Sequence, residues 1–233
     1  MGRKAVILAG GLGTRLKPFT EVIPKPLLPI GEKAVLEIQI EHLKHYGFDE
    51  IIVATNYKSE YIENFLGDGS RYGVKVTVSK EAKPLGTAGP LTLIKAILNE
   101  PFIVVNGDIL SLIDLGKFYN FALEKNTLLT VAIKEIITPY DFGNIFFDND
   151  FVTGIQEKPN FTTYALAGIY AMQPDIFNII PEDSFFCMDE LIIKMLNNKL
   201  QIAKYKMEEY WLDIGSIDNF EEAQEIYKKH FRE

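Results

Sequence analysis

The stretch KAVILAGGLGTRL, residues 4–16, decides the fold. Its first part, Lys4–Leu8, is a short apolar run bounded by glycines, which predicts a buried β-strand. Three of the four residues 10–13 are glycines, and such a turn can bring the backbone close to a ligand and aim its amides at a phosphate. A plain tight turn is the alternative interpretation of the same glycines.

Two established phosphate-binding loops do not fit this stretch. A Walker A loop ends in Gly-Lys-Ser/Thr, which is absent here. A dinucleotide fingerprint starting at Gly11 would need a glycine at the position of Leu16. The sequence therefore predicts a phosphate loop of a third kind.

Strand and helix patterns alternate from this loop onward. Leu36, Ile40 and Leu43 recur at helical spacing. The pattern then predicts a strand over Glu50–Ala54, a helix over Lys58–Leu66, a strand over Val74–Ser79, a helix over Thr87–Leu98 and a strand over Phe102–Asn106. This alternation is typical of an α/β fold with a doubly wound, mainly parallel sheet, in which ligands bind at the carboxyl ends of the strands.

The second half has a different order of elements. A helix is predicted over Leu115–Lys125, followed by four closely spaced strands over Leu128–Lys134, Asn144–Phe147, Val152–Glu157 and Tyr164–Ala171, and by helices over Asp189–Asn197 and Ile217–Phe231, the last capped by Ser216. This indicates a mixed α+β region with hairpins. Because no linker separates the halves, about 1–110 and 111–233, we expect them to share one sheet in a single domain.

Composition and charge exclude several classes of protein. The 233 residues are 47% apolar and 24% charged, as in ordinary globular proteins. The net charge of −8 argues against nucleic-acid binding. Residues 1–30, however, hold five basic residues and one acid, a local charge of +4 that could attract a small anion.

Cysteine content and hydropathy bear on location. Cys187 is the only cysteine, so a disulfide within the chain is impossible and a cysteine-based zinc site is nearly excluded. No apolar stretch approaches the roughly 20 residues of a membrane span, and the run before Gly10 is too short for a signal-peptide core. We expect a cytoplasmic protein without a membrane partner.

Five further motifs follow the glycine loop. They are PKPLLPI at 24–30, PLGTAG at 84–89, NGD at 106–108, EKP at 157–159 and WLDIG at 211–215. Together with the loop, in this order, they resemble the signature of the sugar-1-phosphate nucleotidyltransferases, and their look is closest to members such as the mannose-1-phosphate guanylyltransferases. The resemblance spans nearly the whole chain and implies a Rossmann-like nucleotidyltransferase fold whose second half binds a sugar.

The resemblance also implies a reaction. A sugar-1-phosphate oxygen attacks the α-phosphorus of a nucleoside triphosphate, and pyrophosphate leaves without a covalent enzyme intermediate. Such chemistry needs positioning and charge neutralisation. By their places in the motifs, Arg15 would hold the β and γ phosphates and Lys25, set between two prolines, would sit at the α-phosphate. A solubilising role is the alternative for either cation.

The same resemblance assigns the other nucleotide and metal residues. The nucleotide would contact Leu8, Ala9, Gly10, Gly11, Gly13, Thr14, Glu81, Pro84, Gly86 and Thr87. Asp108 and Asp213 would bind Mg²⁺, which is satisfied by one or two carboxylates plus phosphate and water oxygens. Asp108 follows a predicted strand, where ligands of a doubly wound sheet gather, although an acid at that place can also serve only as a turn residue or helix cap.

For the sugar side, the resemblance implies contacts with Asn106, Gly143, Glu157, Lys158, Gly168 and Tyr170. The alternatives are a turn glycine, a surface ion pair and a core aromatic. Relatives that act on mannose-type sugars often have asparagine where Leu166 stands, so the sugar remains open.

The sequence also leaves alternatives for the base of the nucleotide and for the class of protein. Thymidylyl-type relatives have a glutamine five residues before the glycine at the base, where this chain has Glu81. A carboxylate accepts hydrogen bonds only and suits the two neighbouring donors of guanine, which favours GTP over dTTP or UTP. A uridylyl- or thymidylyltransferase and an inactive nucleotide-sugar-binding regulator are the other readings. Ala54-Thr55-Asn56 lacks the acid that a dinucleotide-dependent oxidoreductase requires. A homo-oligomer is compatible with the sequence.

Overall fold

A computed structural model describes residues 2–56 and 58–230 of the chain. The strands are β1 Arg3–Leu8, β2 Pro29–Ile30, β3 Lys33–Ala34, β4 Phe48–Thr55, β5 Lys75–Lys80, β6 Phe102–Asn106, β7 Ile109–Ser111, β8 Leu129–Pro139, β9 Asn144–Asp148, β10 Phe151–Gln156, β11 Asn160–Met172, β12 Ile202–Met207 and β13 Trp211–Asp213. The helices are α1 Phe19–Val22, α2 Val35–His45, α3 Ser59–Leu66, α4 Leu115–Lys125, α5 Met188–Asn197 and α6 Ile217–His230.

One seven-stranded sheet runs through both halves, in the order β12-β8-β11-β6-β1-β4-β5. Four of its six pairings are parallel, and only β11 pairs in the antiparallel direction, with β6 and with β8. The α/β class, the mainly parallel sheet and the sharing of one sheet by the two halves are thereby confirmed. A hairpin, as expected in the second half, is present as β9–β10, and it lies in sequence between the antiparallel pair β8 and β11.

The central position of β1 follows from its sequence. Ala5, Val6 and Ile7 are completely buried, because β1 lies between β4 and β6 and both of its faces are covered. Side chains on the two faces belong to two separate apolar clusters. A strand of this kind needs the continuous apolar run that its sequence provides.

Helix ends coincide with local hydrogen bonds of the predicted type. The Asp114 side chain accepts from the Lys117 amide at 2.8 Å at the start of α4, and the Ser216 hydroxyl accepts from the Asn219 amide at 3.2 Å at the start of α6. The prediction that Ser216 caps the last helix is therefore confirmed. The described part of the helix extends to His230, and Phe231, its predicted last residue, lies outside the described residues.

The helix predicted over Thr87–Leu98 is wrong. The structure has a 3-10 helix over Gly89–Ile94 instead. The amides of Ala88 and Gly89 both donate to the Phe186 carbonyl at 2.9 Å, which ties the start of this segment to another part of the chain. Short strands β7, β12 and β13 were not predicted. Within residues 2–56 and 58–230, we find no helix with the length and apolar character needed to cross a bilayer.

Candidate active site

Two aspartates meet through a strand pairing that the motifs alone do not show. β7 and β13 run antiparallel, with Asp213 opposite Ile109. The Ile214 amide also donates to the Asp108 carbonyl at 2.9 Å. The NGD and WLDIG motifs, about one hundred residues apart, are therefore held side by side, as the carboxylates of a shared site would require.

Two cations face this pair of acids. Lys25 forms an ion pair with Asp108, and their side chains are 11% and 28% exposed. Arg15 lies beside Gly215, since a Cβ placed on that glycine would be 2.8 Å from the Arg15 guanidinium. The structure thus brings together the four residues predicted to be catalytic.

Electrostatics single out Asp213. Burial raises the pKa of this carboxyl, and the negative charge of Asp108 raises it further, while Lys25 and Arg15 oppose the shift. Its Oδ1 atom is buried and has no hydrogen-bond partner among residues 2–56 and 58–230. Because an unpaired buried carboxylate oxygen is costly, this atom indicates a ligand that the fold itself does not supply.

The acids fit the divalent cation that the sequence predicted. Mg²⁺ takes one or two protein carboxylates and completes its shell with phosphate oxygens and water. Asp213 has an unpartnered Oδ1 among the described residues, and its carboxyl is close enough to Asp108 for the charge of Asp108 to raise its pKa. In the described part of the chain no group of three or more His, Cys, Asp or Glu side chains forms a denser metal site. The donor set therefore suits magnesium held between protein and substrate rather than a structural metal.

The glycine loop borders a cleft of about 420 Å³. Of the predicted site residues, the cleft is lined by Leu8, Gly10, Gly11, Glu81, Pro84, Gly86, Thr87, Asn106 and Asp108. Gly13 adopts a left-handed conformation with φ 62°, and its carbonyl accepts a hydrogen bond from the Thr20 hydroxyl at 2.8 Å. A turn of this shape requires glycine there, and it leads directly into the 3-10 helix Thr14–Leu16 that carries Arg15.

Glu81 lies in the wall of the cleft. Its Oε2 accepts a hydrogen bond from the Leu85 amide at 2.8 Å. Burial raises the pKa of the Glu81 carboxyl, against the opposing effects of the Leu85 amide and the Asn56 side chain. One carboxylate oxygen therefore shapes the loop that begins at Pro84, while the group as a whole remains on the cleft surface.

Loop 84–89 is fixed by residues 185–188. The Phe186 amide donates to the Leu85 carbonyl at 2.9 Å, and the Met188 amide donates to the Thr87 hydroxyl at 2.8 Å. Gly86 has φ 80°, and a Cβ placed on it would lie 2.7 Å from the Phe186 carbonyl oxygen. Gly86 is thus required both by its conformation and by the close approach of the neighbouring chain.

The predicted sugar-side residues fall into two groups. Gly168, with φ 69°, lies against Asn106, whose Oδ1 is buried and has no hydrogen-bond partner in the described part of the chain. Tyr170 is only 4% exposed, and burial, followed by the charges of Asp189 and Asp108, raises the pKa of its hydroxyl to about 12. This group lies beside Asp108 and the cleft.

The second group lies at the base of the β9–β10 hairpin. A Cβ placed on Gly143 would be 3.2 Å from a Glu157 carboxylate oxygen, so these two residues are neighbours. Glu157 and Lys158 are exposed, and Lys158 has φ 44°. Among the described residues, no hydrogen bond or ion pair joins this group to Lys25 or Asp108.

Five residues that line the cleft were not among the predicted site residues. The cleft is also lined by Leu12, Asn56, Leu85, Phe185 and Cys187. Asn56 follows β4, and its place at the carboxyl end of a parallel strand was a usable signal. Phe185 and Cys187 precede α5, and no local pattern marks them as parts of the cleft.

Gln39 is a further residue that the sequence analysis missed. It is buried in α2, and its Nε2 donates to the carbonyls of Asn106 at 2.9 Å and Ile109 at 2.8 Å. These two acceptors bracket Gly107 and Asp108. The amide of Gln39 therefore holds the turn that presents the aspartate.

Comparisons with known proteins identify the family of this chain. A family model described as nucleotidyl transferase matches residues 4–230. The UTP–glucose-1-phosphate uridylyltransferase of Synechocystis sp. is 33% identical over 94% of this chain and 62% of its own length. The mannose-1-phosphate guanyltransferase of Saccharomyces cerevisiae is 32% identical over 96% of this chain and 64% of its own length. The chain thus spans somewhat less than two thirds of the length of these relatives.

A solved structure is similar to this chain over almost its whole length. The crystal structure of HddC from Yersinia pseudotuberculosis in complex with GMP-PN has a TM-score of 0.74 and 31% sequence identity, and the match covers 97% of this chain and 100% of that chain. Because the family model covers almost every residue and includes all the motifs, the resemblance stated from the sequence is confirmed. The chain belongs to the nucleotidyl transferase family, among the sugar-1-phosphate nucleotidyltransferases.

Proposed function

We propose that this protein transfers a nucleoside monophosphate from a nucleoside triphosphate to a hexose-1-phosphate. A bond forms between an oxygen of the sugar phosphate and the α-phosphorus, the bond from the α-phosphorus to the bridging oxygen breaks, and pyrophosphate leaves. The observation that carries the proposal is the convergence of Arg15, Lys25, Asp108 and Asp213 beside a glycine-lined cleft. Both substrates are anions, so the two cations beside Asp108 and Asp213 would reduce the electrostatic repulsion between the substrates.

Each cation has a distinct role in this proposal. Arg15 presents a planar fork that can bind oxygens of the β and γ phosphates together, whereas Lys25 offers a compact charge for the α-phosphate. Lys25 is nearly buried and already held in place by Asp108. Its charge is therefore pre-oriented, and little reorganisation is needed as negative charge grows on the reacting phosphate.

Asp108 and Asp213 would hold Mg²⁺, and the unpartnered Oδ1 of Asp213 supports this assignment. When bound, the ion supplies neutralisation of phosphate charge. Gln39 and the β7–β13 pairing keep the two carboxylates in position. Asn106, Gly168 and Tyr170 would border the sugar, and Gly143, Glu157 and Lys158 would reach it from the hairpin.

For the base, we propose GTP. Glu81 lies on the cleft wall, where its carboxylate accepts from the Leu85 amide and interacts with the Asn56 side chain. A carboxylate has about four lone-pair sites, so it retains capacity to accept from a purine edge with two donors. HddC, which resembles this chain over its full length, is described in complex with GMP-PN. The second candidate is a uridylyl- or thymidylyltransferase, which the similarity to the Synechocystis enzyme favours. We propose a cytoplasmic location, where nucleoside triphosphates are available.

The deciding experiment is a pyrophosphate-release assay of the purified chain with Mg²⁺. GTP, UTP, dTTP, CTP and ATP are each paired with mannose-, glucose- and amino-sugar 1-phosphates. We expect the highest kcat/KM with GTP. Higher values with UTP or dTTP would favour the second candidate, and no release with any pair would overturn the proposed reaction.

Glu81→Gln tests the assignment of the base. The variant keeps an oxygen that can accept from the Leu85 amide but removes the charge. We expect kcat/KM for GTP to fall by about tenfold or more, while that for UTP falls less, because a lost charge-assisted hydrogen bond is worth roughly 1.5–3 kcal/mol. Glu63→Gln, which changes a carboxylate paired with Lys80 on the surface, is the matched control and should change neither value. Equal losses for both nucleotides would contradict base reading by Glu81.

A further inference from the structure

Arg15 depends on the backbone around it for its position. It is exposed, and among the described residues no hydrogen bond or ion pair holds its guanidinium. Lys25, by contrast, is fixed by its ion pair with Asp108. The place of the Arg15 guanidinium beside Gly215 therefore follows from the place of the segment that carries it, which we call the arginine segment and define as residues 13–23.

Hydrogen bonds give the arginine segment its shape. Five of them join atoms of the segment to its own carbonyls, and their donors are the Thr20 hydroxyl and the amides of Leu16, Lys17, Glu21 and Ile23. Within residues 2–56 and 58–230, one hydrogen bond joins the segment to the rest of the chain, from Lys58 Nζ to the Glu21 carbonyl. The segment is therefore a compact unit whose place on the protein depends mainly on packing.

A ring contact supplies part of that packing. Phe19 in α1 stacks on Phe220 in α6, with ring centroids 6.0 Å apart and ring planes inclined by 30°. Phe220 in turn packs against the apolar cluster that contains Leu110 and Leu212. These two leucines are paired across β7 and β13, the strands that bring the two site aspartates together. The contact thus connects α1 to the cluster that supports the proposed metal site.

The connection between α1 and α6 is limited. An open groove of about 570 Å³ lies beside the two rings, lined in part by Val22 and Gln224. Phe19 is still 47% exposed, so much of its ring is in contact with solvent. A stacked aromatic pair changes an equilibrium constant by roughly two- to twelvefold beyond the effect of area burial. Loss of one ring should therefore shift the docking of the arginine segment without unfolding the protein.

We propose that Phe19 and Phe220 are positioning residues for the nucleotide. Their stacking holds the arginine segment against α6 and keeps Arg15 beside Gly215, where its guanidinium can bind the β and γ phosphates. This inference rests on the role proposed for Arg15. If only a fraction of molecules has the segment docked, the apparent affinity for the triphosphate falls by that fraction. Saturating nucleotide restores the docked state, so turnover at saturation is preserved.

The test uses Phe19→Ala and Phe220→Leu, the latter keeping an apolar side chain against the cluster. Titration calorimetry with Mg²⁺ and no sugar phosphate measures the Kd of GTP, UTP, GMP and UMP, so the result does not depend on which base the protein prefers. For the triphosphate that binds more tightly, we expect Kd and KM to rise by about three- to tenfold, and kcat to stay within about twofold. The Kd of the monophosphates should not change, because they lack the phosphates that Arg15 binds.

Arg15→Ala links these effects to the guanidinium. It should itself weaken triphosphate binding, and adding Phe19→Ala to it should change Kd by less than about twofold, since the two substitutions remove the same interaction. Val22→Ala is the matched control, because Val22 also lies on α1 and lines the groove but is 69% exposed. It should leave every value unchanged.

Circular dichroism identifies a variant that does not fold, and the rings lie on separate elements, so either variant can carry the test. Unchanged triphosphate affinity in the ring variants, with a loss in Arg15→Ala, would overturn the positioning role alone. No loss in Arg15→Ala would overturn the proposed role of Arg15 as well. Equal losses for mono- and triphosphates, or a lower kcat at unchanged KM, would show that the rings act only on the fold and would overturn the inference.

Discussion

Replacing Lys25 with alanine should remove most of the turnover while leaving nucleotide binding largely intact. The lysine side chain is 11% exposed and paired with Asp108, so its charge acts in a partly dehydrated environment. For unit charges about 4 Å apart at the effective dielectric constant of such a site, the Coulomb energy is about 4 kcal/mol. Part of this energy is present when the substrate is merely bound, because its phosphates are already charged.

The part that counts for catalysis is the increase in the transition state. Removing one pre-oriented group that stabilises developing negative charge costs roughly 2.7–4 kcal/mol in comparable sites, which is a loss of about 10²–10³ in kcat. The dissociation constant for the nucleoside triphosphate should rise by less than about tenfold, because Arg15 and the glycine loop still bind the phosphates.

The assay combines steady-state pyrophosphate release with titration calorimetry of the nucleotide. Lys17→Ala is the matched control, since Lys17 lies in the same basic segment but is 58% exposed and forms a surface ion pair with Glu21 at 3.4 Å. Its kcat should stay within about twofold of wild type, as expected for an exposed ion pair. A Lys25→Ala enzyme with kcat within about threefold of wild type, or with a loss confined to nucleotide affinity, would refute the role assigned to Lys25.

Three further predictions concern the residues around this site. Burial and Asp108 raise the pKa of Asp213, so between the usual aspartate pKa and the raised one the folded protein retains a proton that the unfolded chain has released. The free energy of unfolding of the metal-free protein should therefore fall as the pH rises through this interval. Asp213→Asn should abolish this fall in urea titrations and lower kcat at least about 10²-fold. Gly86→Ala should destabilise the protein by more than Gly47→Ala in thermal unfolding, because both glycines have positive φ, worth about 1–2 kcal/mol, but only the former meets a backbone carbonyl. Gln39→Leu should raise the Mg²⁺ concentration needed for half-maximal activity by about tenfold, since two carbonyls around Asp108 lose their donor, and an unchanged requirement would contradict this positioning role.

Much of the fold could be predicted because its signals are local. The apolar run of β1 and the helical spacing of Leu36, Ile40 and Leu43 indicate burial directly. The three central side chains of β1 and these three side chains of α2 are all at most 1% exposed. Asp108 could be placed in the site because carboxyl ends of parallel strands meet at one edge of the sheet. The prediction of a helix over Thr87–Leu98 failed because Pro90 lies inside that span and disfavours the α region for the residue before it. The start of the segment is also tied to Phe186, far along the chain, which a local pattern cannot show.

The parts of the site that escaped prediction depend on such long-range contacts. β7 and β13 are three residues each, too short to show a strand pattern, yet their pairing is what joins Asp108 to Asp213. Phe185 and Cys187 enter the cleft only because residues 185–188 bind loop 84–89. The resemblance to a family predicted that the two aspartates bind metal. Only the structure showed the strand pairing that brings them together.

The charged side chains of the site are only partly paired with one another, and the unpaired atom indicates what the site binds. Arg15 and Lys25 balance the formal charges of Asp108 and Asp213, so the group as a whole need not repel itself. The two aspartates nevertheless differ in their contacts. Lys25 forms an ion pair with Asp108, whereas Oδ1 of Asp213 is buried and has no hydrogen-bond partner among the described residues. A sequence selected for stability alone would replace such a carboxylate with an uncharged side chain, because an unpaired buried acceptor costs about 1–3 kcal/mol. Retaining it here is best explained by a ligand that completes the pairing, and a phosphate-bound divalent cation would satisfy the free oxygen and balance the substrate in the same step.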